Sequence, residues 1–316
     1  MKNILVIGGS YFAGRVFVEH MMKSDDYAVH VFNRGHLPLR LPSVTEYVGD
    51  REHPDTISTG IPAKEWYAVI DFCGYMPGDI EILIHHLPGK IHHYLFISTT
   101  SVYAPGHDLP VKEQSPVVLN PQPELGPMSD YGFDKWRAEC KLREICNAKG
   151  IHYTIFRPAI IYGRYNYAPR ETYFFDLVYN RQPLIIPSDP LPLFSFVWVE
   201  DMACFIRYAI GEPKFFDRIL NLSAPDAVSY PQLVEVIETI SGQKLKYSQL
   251  SSTEIIKQGI PLPFPLDNHL LYDGTQIQKL SDIPYTPFLQ GMQKTYSHYL
   301  KIQEDKKRRQ GLMVSV

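Results

Sequence analysis

The apolar positions in the first half of the chain fall into short unbroken runs, separated by stretches in which they recur at helical spacing. KNILVI (Lys2 to Ile7) has the length and continuity of a strand buried on both faces of a parallel sheet. A glycine-rich turn follows, Arg15 to Lys23 has helical apolar spacing, and AVHVF (Ala28 to Phe32) returns to a strand pattern. This is a βαβ opening. TEYVG around Tyr47, YAVIDFCG ending at Gly74, HHYLFIST ending near Thr99 and HYTIFRP ending at Pro158 continue the series, with helical segments between most of them. The alternation predicts an α/β fold built on a doubly wound parallel sheet, Rossmann-like, with a smaller C-terminal lobe.

After Gly163 the texture changes to aromatics, prolines and short apolar pieces, which predicts a lobe placed over a site, whose rings would stack on a sugar or base. SFVWVEDMACFIRYAI (Ser195 to Ile210) reads as a strand leading into a helix that returns to the first domain. YPQLVEVIETISG reads as a helix closed by glycine, and IPLPFPLDNHLLYD as a proline-punctuated loop. The expected domains are residues 1–163 with about 195–222 for dinucleotide binding, and about 164–194 with 223–300 for the substrate. Residues 301–316 form a basic tail carrying Lys306, Lys307, Arg308 and Arg309, read as a solvated helix end.

Composition narrows the function classes. The chain of 316 residues has 31 basic against 34 acidic side chains, a net charge of −3, so no global field attracts nucleic acid. Its four cysteines show neither CxxC nor zinc-finger spacing, which suits a reducing, cytoplasmic compartment. No apolar run approaches the ~18 residues of a membrane span. The pairs His85, His86 and His92, His93 lack a carboxylate or cysteine at ligand spacing, so no metal site is expected.

The turn GGSYFAG after the first strand is the first candidate for chemistry. Gly8 permits a tight turn and Gly14 close packing of the following helix, whose N-terminus offers N–H groups and a positive dipole end to a pyrophosphate. Tyr11 stands where the usual middle glycine would be. After the second strand, Asn33 and Arg34 replace the acidic residue that normally binds the adenine ribose. Arg34 favours a 2′-phosphate and so NADP over NAD, whereas Asn33 would serve a ribose hydroxyl. Asp50 either accepts from the adenine amino group or caps the next helix.

In SDYGFDKWRAEC, Tyr131 and Lys135 lie four apart at the start of a helix and share a face. A phenol of pKa ~10 is a poor base, but a neighbouring ammonium favours the phenolate. The run Thr99, Thr100, Ser101 sets hydroxyls at the C-terminal end of an earlier strand, where open α/β sheets bind ligands.

Together, Gly8 to Gly14, FISTTSVY, YGFDK, RPAIIYG (Arg157 to Gly163) and FVWVEDMA resemble the extended and atypical short-chain dehydrogenases/reductases, the NAD-dependent epimerases and dehydratases. The resemblance implies Thr99 as the hydroxyl that holds the substrate oxygen, Tyr131 as the proton-exchanging group and Lys135 as its partner. It implies cofactor contacts from Gly8, Gly9, Ser10, Tyr11, Phe12, Gly14, Asn33, Arg34, Asp50, Cys73, Lys135 and Pro158. Substrate contacts would come from Thr100, Arg164 and Arg170, the substrate being a sugar nucleotide or similar polyhydroxylated molecule. A homodimer is implied as well. The family's dehydratases carry an acid pair where Thr100 and Ser101 stand, which favours epimerisation or carbonyl reduction over dehydration. Its UDP-sugar epimerases carry an arginine where Phe194 stands, which argues against a UDP-sugar. The missing middle glycine is most similar to the branch that includes chloroplast stem-loop RNA-binding proteins. A Rossmann-like RNA-binding protein, against which the Tyr131 and Lys135 pair speaks, or a non-catalytic dinucleotide sensor is the alternative.

Overall fold

Each apolar run of the first half forms a strand of one parallel sheet, because a segment that is apolar on both sides must be covered on both faces. The computed structural model describes residues 1–106, 108–188 and 192–313, with side chains in the last helix through Arg308. In chain order the elements begin with β1 (Lys2–Ile7), α1 (Phe12–Met21), β2 (Tyr27–Asn33), β3 (Val44–Val48), α2 (Pro54–Gly60), β4 (Lys64–Asp71) and α3 (Pro77–His86). They continue with β5 (Gly89–Ile91), β6 (His93–Ile97), α4 (Tyr131–Lys149), β7 (His152–Pro158), β8 (Ile160–Tyr162), α5 (Glu171–Tyr179), β9 (Leu184–Pro187) and β10 (Phe194–Trp198). The remainder is α6 (Val199–Ala209), β11 (Arg218–Leu222), β12 (Ala227–Val228), α7 (Tyr230–Ser241), β13 (Tyr247–Leu250), α8 (Ser252–Lys257), α9 (Thr275–Ser281) and α10 (Phe288–Met313).

The main sheet has the order β11-β7-β6-β4-β1-β2-β3, with β5 also paired to β4, and every pairing is parallel. The chain leaves β1 toward β2 on one side and later enters β4 on the other. This reversal makes the carboxyl ends of β1 and β4 a topological switch point, the place where ligands of such sheets bind. Ile57 of α2, Ile80 and Leu83 of α3, and Ala138 and Leu142 of α4 join Leu5, Val69 and Phe96 of the strands in one buried core.

The chain divides into two compact units, the first comprising Met1–Ala159, Glu200–Ser223 and Tyr272–Pro284, and the second Ile160–Val199, Ala224–Leu271 and Tyr285–Val316. Against the sequence reading, 160–163 and β10 fall in the second unit, where β10 pairs with β8 and β12. Residues 272–284 return to the first, drawn there by backbone and side-chain bonds. Asp273 N donates to Val111 O, and Asn221 Nδ2 donates to both Val111 O and Asp273 O.

The second unit corrects the expectation for its aromatics. Phe174, Phe175, Phe194, Phe196, Tyr230 and Phe264 are buried together in its own core, so these rings hold the unit together rather than wait for a sugar or base. Phe194, which replaces an expected arginine, is fully buried against Tyr230 and Phe264. The C-terminal segment is likewise more ordered than a tail. α10 is a helix of 26 residues whose first half buries Met292, Tyr296 and Tyr299, and Lys306, Lys307 and Arg308 lie exposed along its second half. The side chain of Arg309 lies outside the described ones. Among the described residues no helix is long and apolar enough to cross a membrane.

Within the first unit, Glu139 of α4 and Arg157 of β7 form a fully buried ion pair. Arg157 Nη2 lies 2.6 Å from Glu139 Oε2, Nε lies 3.0 Å from Oε1, and Ser98 Oγ donates to Oε1 at 2.5 Å. The Arg157 guanidinium also stacks over Tyr103 and Trp136. Breaking such a pair strands a charge in a low dielectric. Arg157→Met is expected to cost about 3–5 kcal/mol in urea unfolding, and adding Glu139→Leu should recover most of it. A single-variant loss below about 1 kcal/mol would contradict this reading.

Candidate active site

The loop between β1 and α1 is shaped by close approaches. Gly8 has φ +83°, a conformation that favours glycine, and a Cβ there would come 2.9 Å from Cys73 Sγ. At Gly14 a Cβ would come 2.3 Å from Gly8 O, so only glycine lets α1 seat against the loop. α1 begins without a side-chain cap and with no acidic residue in its first turn, which leaves its positive end available to an anion. Ser10 is 4% exposed, and its hydroxyl has no hydrogen-bond partner among the described residues. A buried, unpaired hydroxyl beside an uncapped helix start fits a phosphate oxygen. These features of the loop fit a pyrophosphate. Gly9 packs against Val18 and Val31, and Phe12, with φ 32°, is buried at the first position of α1. Tyr11 precedes the helix and is 54% exposed.

The residues expected around the adenosine end divide. Asn33 is committed to its own turn, accepting from Gly35 N at 2.7 Å and donating to Glu46 Oε2 at 3.3 Å. Arg34 is exposed. Asp50 accepts from Glu52 N at 3.1 Å in the turn before α2, and the N-cap position itself is His53. Cys73 meets Gly8, and burial pushes its thiol up to about 11 despite Arg51 nearby, so it serves as a small packing group.

The strand-end hydroxyls also have separate partners. Thr99 caps the short 3₁₀ turn Thr100–Val102, accepting from Ser101 N at 3.1 Å and donating to Ser101 Oγ at 3.2 Å. Thr100, expected to meet substrate, donates instead to Pro158 O at 3.2 Å and is buried, which also accounts for Pro158. Gly132 seats the start of α4 against this turn, since a Cβ there would come 2.2 Å from Ser101 O. The first turn of α4 with Tyr131 is thereby held against the Thr99–Ser101 segment.

One turn further along α4, Lys135 is fully buried and donates to Ile97 O at 2.6 Å and Gly74 O at 2.8 Å. Its Nζ lies 4.2 Å from the Phe96 ring centroid and 5.6 Å from that of Tyr75. Burial lowers its pKa to about 8, against the opposing pull of Asp71 and Glu139. An ammonium has three donors, and the two carbonyls use two.

Arg164 and Arg170 belong to the second unit. Arg164 stacks on Tyr165 at 5.2 Å, and Arg170 Nη1 donates to Ile161 O at 3.0 Å. Their loop is anchored by Glu171, which accepts from Gly163 N and Asn166 Nδ2, each at 2.9 Å. Burial raises Glu171 to about 7, more than these donors lower it.

Sequence reasoning missed the buried charges behind the site. Arg51 lies beside Asp50 in sequence and pairs with Asp71 at the end of β4, through bonds of 2.7 and 3.1 Å. Glu139 and Arg157 went unnoticed for the same reason: nothing in spacing marks two distant charges as partners. The one available sign was a charged residue ending an otherwise apolar strand run, as Asp71 does. Among the described residues no group of three or more His, Cys, Asp or Glu is placed to hold a metal.

Residues 80–223 match the model of the NAD dependent epimerase/dehydratase family. The chain is 25% identical over 255 residues to the chloroplast stem-loop binding protein of 41 kDa b of Arabidopsis thaliana, covering 76% of this chain and 64% of that protein. It is 28% identical over 163 residues to an uncharacterized UDP-glucose epimerase, YtcB, of Bacillus subtilis, covering 49% of this chain and 46% of the relative. The chain thus spans less than two thirds of the length of these curated relatives. In structure it resembles UDP-glucose 4-epimerase of Thermotoga maritima, solved with UDP-glucose, with TM-score 0.77, 17% identity, and coverage of 95% of this chain and 99% of that one. It also resembles UDP-glucuronic acid 4-epimerase of Bacillus cereus, solved with UDP-glucuronic acid and NAD, with TM-score 0.73, 17% identity and the same coverages. At these identities the likeness is one of fold.

The Lys135 shift makes a prediction about stability. Its folded pKa of about 8 lies below the ordinary 10.5, so between these values the unfolded chain binds more protons and stability rises with pH. The unfolding free energy of wild type minus that of Lys135→Met should therefore be flat below pH 8 and rise through that window, with a slope of at most about 1.4 kcal/mol per unit. A flat difference across the window would contradict the burial of the ammonium.

Proposed function

We propose that this chain, whose residues 80–223 match the model of the NAD dependent epimerase/dehydratase family, is a nicotinamide-dependent epimerase or reductase acting on a sugar nucleotide or similar polyhydroxylated molecule. The observation that carries the reading is Lys135, held by Gly74 O and Ile97 O four residues after Tyr131, on a helix seated against the Thr99 turn.

Bound nicotinamide would supply the hydride acceptor or donor, which no side chain provides. Ser10 and the N–H groups at the start of α1 would receive the pyrophosphate. The third N–H of Lys135 would serve the nicotinamide ribose, and its charge would favour the phenolate of Tyr131. Thr99 would orient the reacting oxygen, and Tyr131 would take or return the proton there. Dehydration is disfavoured because Thr100 and Ser101 offer no carboxyl group. Arg34, exposed beside the adenosine end, favours NADP, although structural neighbours were solved with NAD. Arg164 and Arg170 are the candidates for an anionic part of the substrate. A homodimer in a reducing, cytoplasmic compartment completes the reading, the four thiols being free.

A second reading, RNA binding, is favoured by the name of the Arabidopsis relative. It requires salt-sensitive affinity, because phosphate contacts release counterions.

Two measurements test these readings. Calorimetry should give saturable binding of NAD or NADP, and Tyr131→Phe should retain that binding while losing about 10²–10⁴-fold in kcat. Full activity in Tyr131→Phe contradicts the assignment of the proton-exchanging group. Absence of dinucleotide binding, with tight and salt-dependent binding of a stem-loop RNA, would overturn the enzyme reading in favour of the second.

A further inference from the structure

The most elaborate buried polar cluster outside the residues already assigned lies behind Lys135. Arg51 leaves the loop after β3 and is 9% exposed, and its guanidinium grips Asp71, the last residue of β4, with both terminal nitrogens. Its Nη2 also donates to Asp79 O at 2.9 Å, and Nη1 lies 3.4 Å from Cys73 Sγ. Asp71 is fully buried and takes two further donors, Tyr94 Oη at 2.6 Å and Cys73 N at 3.0 Å. Asp79 in turn accepts from Tyr75 N and Met76 N at 2.7 and 3.0 Å.

Every bond in this cluster ends on the turn from Cys73 to Met76 or on the residues that bound it. That turn contains Gly74, whose carbonyl holds Lys135. Gly74 lies directly against the carboxylate, since a Cβ there would come 2.9 Å from Asp71 Oδ2. The same turn touches the dinucleotide loop, because Gly8 packs on Cys73. Arg51 itself follows Asp50, a candidate for the adenine end. A bidentate guanidinium fixes the carboxylate plane in a way a point charge would not. For packing alone, apolar residues of similar size would serve at least as well as a buried ion pair.

We propose that Arg51 and Asp71 are positioning residues for Lys135: their ion pair fixes the turn whose Gly74 carbonyl holds the ammonium, and its net charge sets how firmly Lys135 keeps its proton. The inference rests on the dinucleotide reading above for its functional purpose. The charged and titratable groups facing Lys135 are Asp71, Arg51 and Cys73 from the β4 side, Glu139 on its own helix with its partner Arg157, and the Tyr75 ring. Asp71 and Glu139 raise its proton affinity, and Arg51 lowers it. Burial is the largest influence on Lys135, and among its charged neighbours Asp71 comes first, ahead of Glu139 and Arg51.

Opposite charges at one site give a test that a merely structural role would not pass. In protein labelled with ¹⁵N-lysine, the Nζ resonance of Lys135 is titrated by NMR, and the affinity for NAD is measured by calorimetry on the same samples. Asp71→Asn leaves Arg51 uncompensated and should lower the Lys135 midpoint by about one pH unit, a tenfold change in its acid constant. Arg51→Met leaves Asp71 uncompensated and should raise it by a similar amount. Both should weaken NAD binding at pH 7 at least about fivefold through the displaced turn, since misplacement of a binding group by ~1 Å is costly. Tyr94→Phe, which removes only one hydroxyl donor from Asp71, serves if either charge variant fails to fold. It should raise the midpoint by a smaller amount.

Shifts of the same sign in both charge variants, or no shift in the variants that fold, would overturn the inference. Normal shifts with unaltered NAD affinity would overturn its positioning half. Failure of wild type to bind dinucleotide is a separate result: it removes the functional reading, while the titrations still decide whether the pair governs Lys135.

Discussion

A positive charge buried at the carboxyl edge of a parallel sheet can exist only if the surrounding backbone and carboxylates are arranged to receive it. Lys135 meets that condition through two carbonyl oxygens at the ends of neighbouring strand segments, Gly74 O and Ile97 O. Much of the first unit's detail follows from this constraint. The turn after β4 must present its carbonyl inward, so Asp71 and Asp79 take up its free N–H groups. Those carboxylates require a cation, which Arg51 supplies from the far side of the chain's first crossover. Burial alone would raise Asp71, but the guanidinium beside it, with the donors from Tyr94 and Cys73, holds it below the ordinary carboxylate range.

The same logic recurs on the other side of α4. Glu139 lies one turn beyond Lys135 and is paired with Arg157 and Ser98, at the ends of β7 and β6. One helix therefore carries a buried cation and a buried anion in successive turns, each matched to groups at strand ends. Such networks are expensive when incomplete and rigid when satisfied. Rigidity is what a reaction with strict geometry needs, because a displaced proton-transfer group loses most of its effect. The buried hydroxyl of Ser10, without a partner among the described residues, lies instead in the loop where a ligand's phosphate would complete the set.

The second unit is held together differently. Its core is aromatic rather than ionic, with Phe194, Tyr230 and Phe264 meeting at centroid distances of 5.1 to 6.1 Å. Edge-to-face and tilted rings fill irregular space between short strands and helices where no long parallel sheet exists. Phe194, read in the sequence as an argument against a UDP-sugar, contributes to this packing. A polar cluster of this unit lies at the loop before α5, tied by Glu171 to Gly163 and Asn166.

The sequence by itself determined the order of strands and helices in the first unit, the glycine turn, and the spacing of Tyr131 and Lys135. These are local signals: period, turn chemistry and a separation of four residues within one helix are readable without knowing what packs on them. It also carried the motifs that resemble a known family, because those motifs are contiguous. The tertiary structure alone decided which polar side chains remain available. Asn33, Thr100 and Arg170 look open in the sequence, but each bonds to groups within its own unit. Arg51 and Asp71 look like ordinary charges 20 positions apart, yet they form the buried support of the site. The physical reason is that commitment and burial depend on partners brought together by folding. A sequence pattern records which face is apolar, and does not record which distant charge will lie against it.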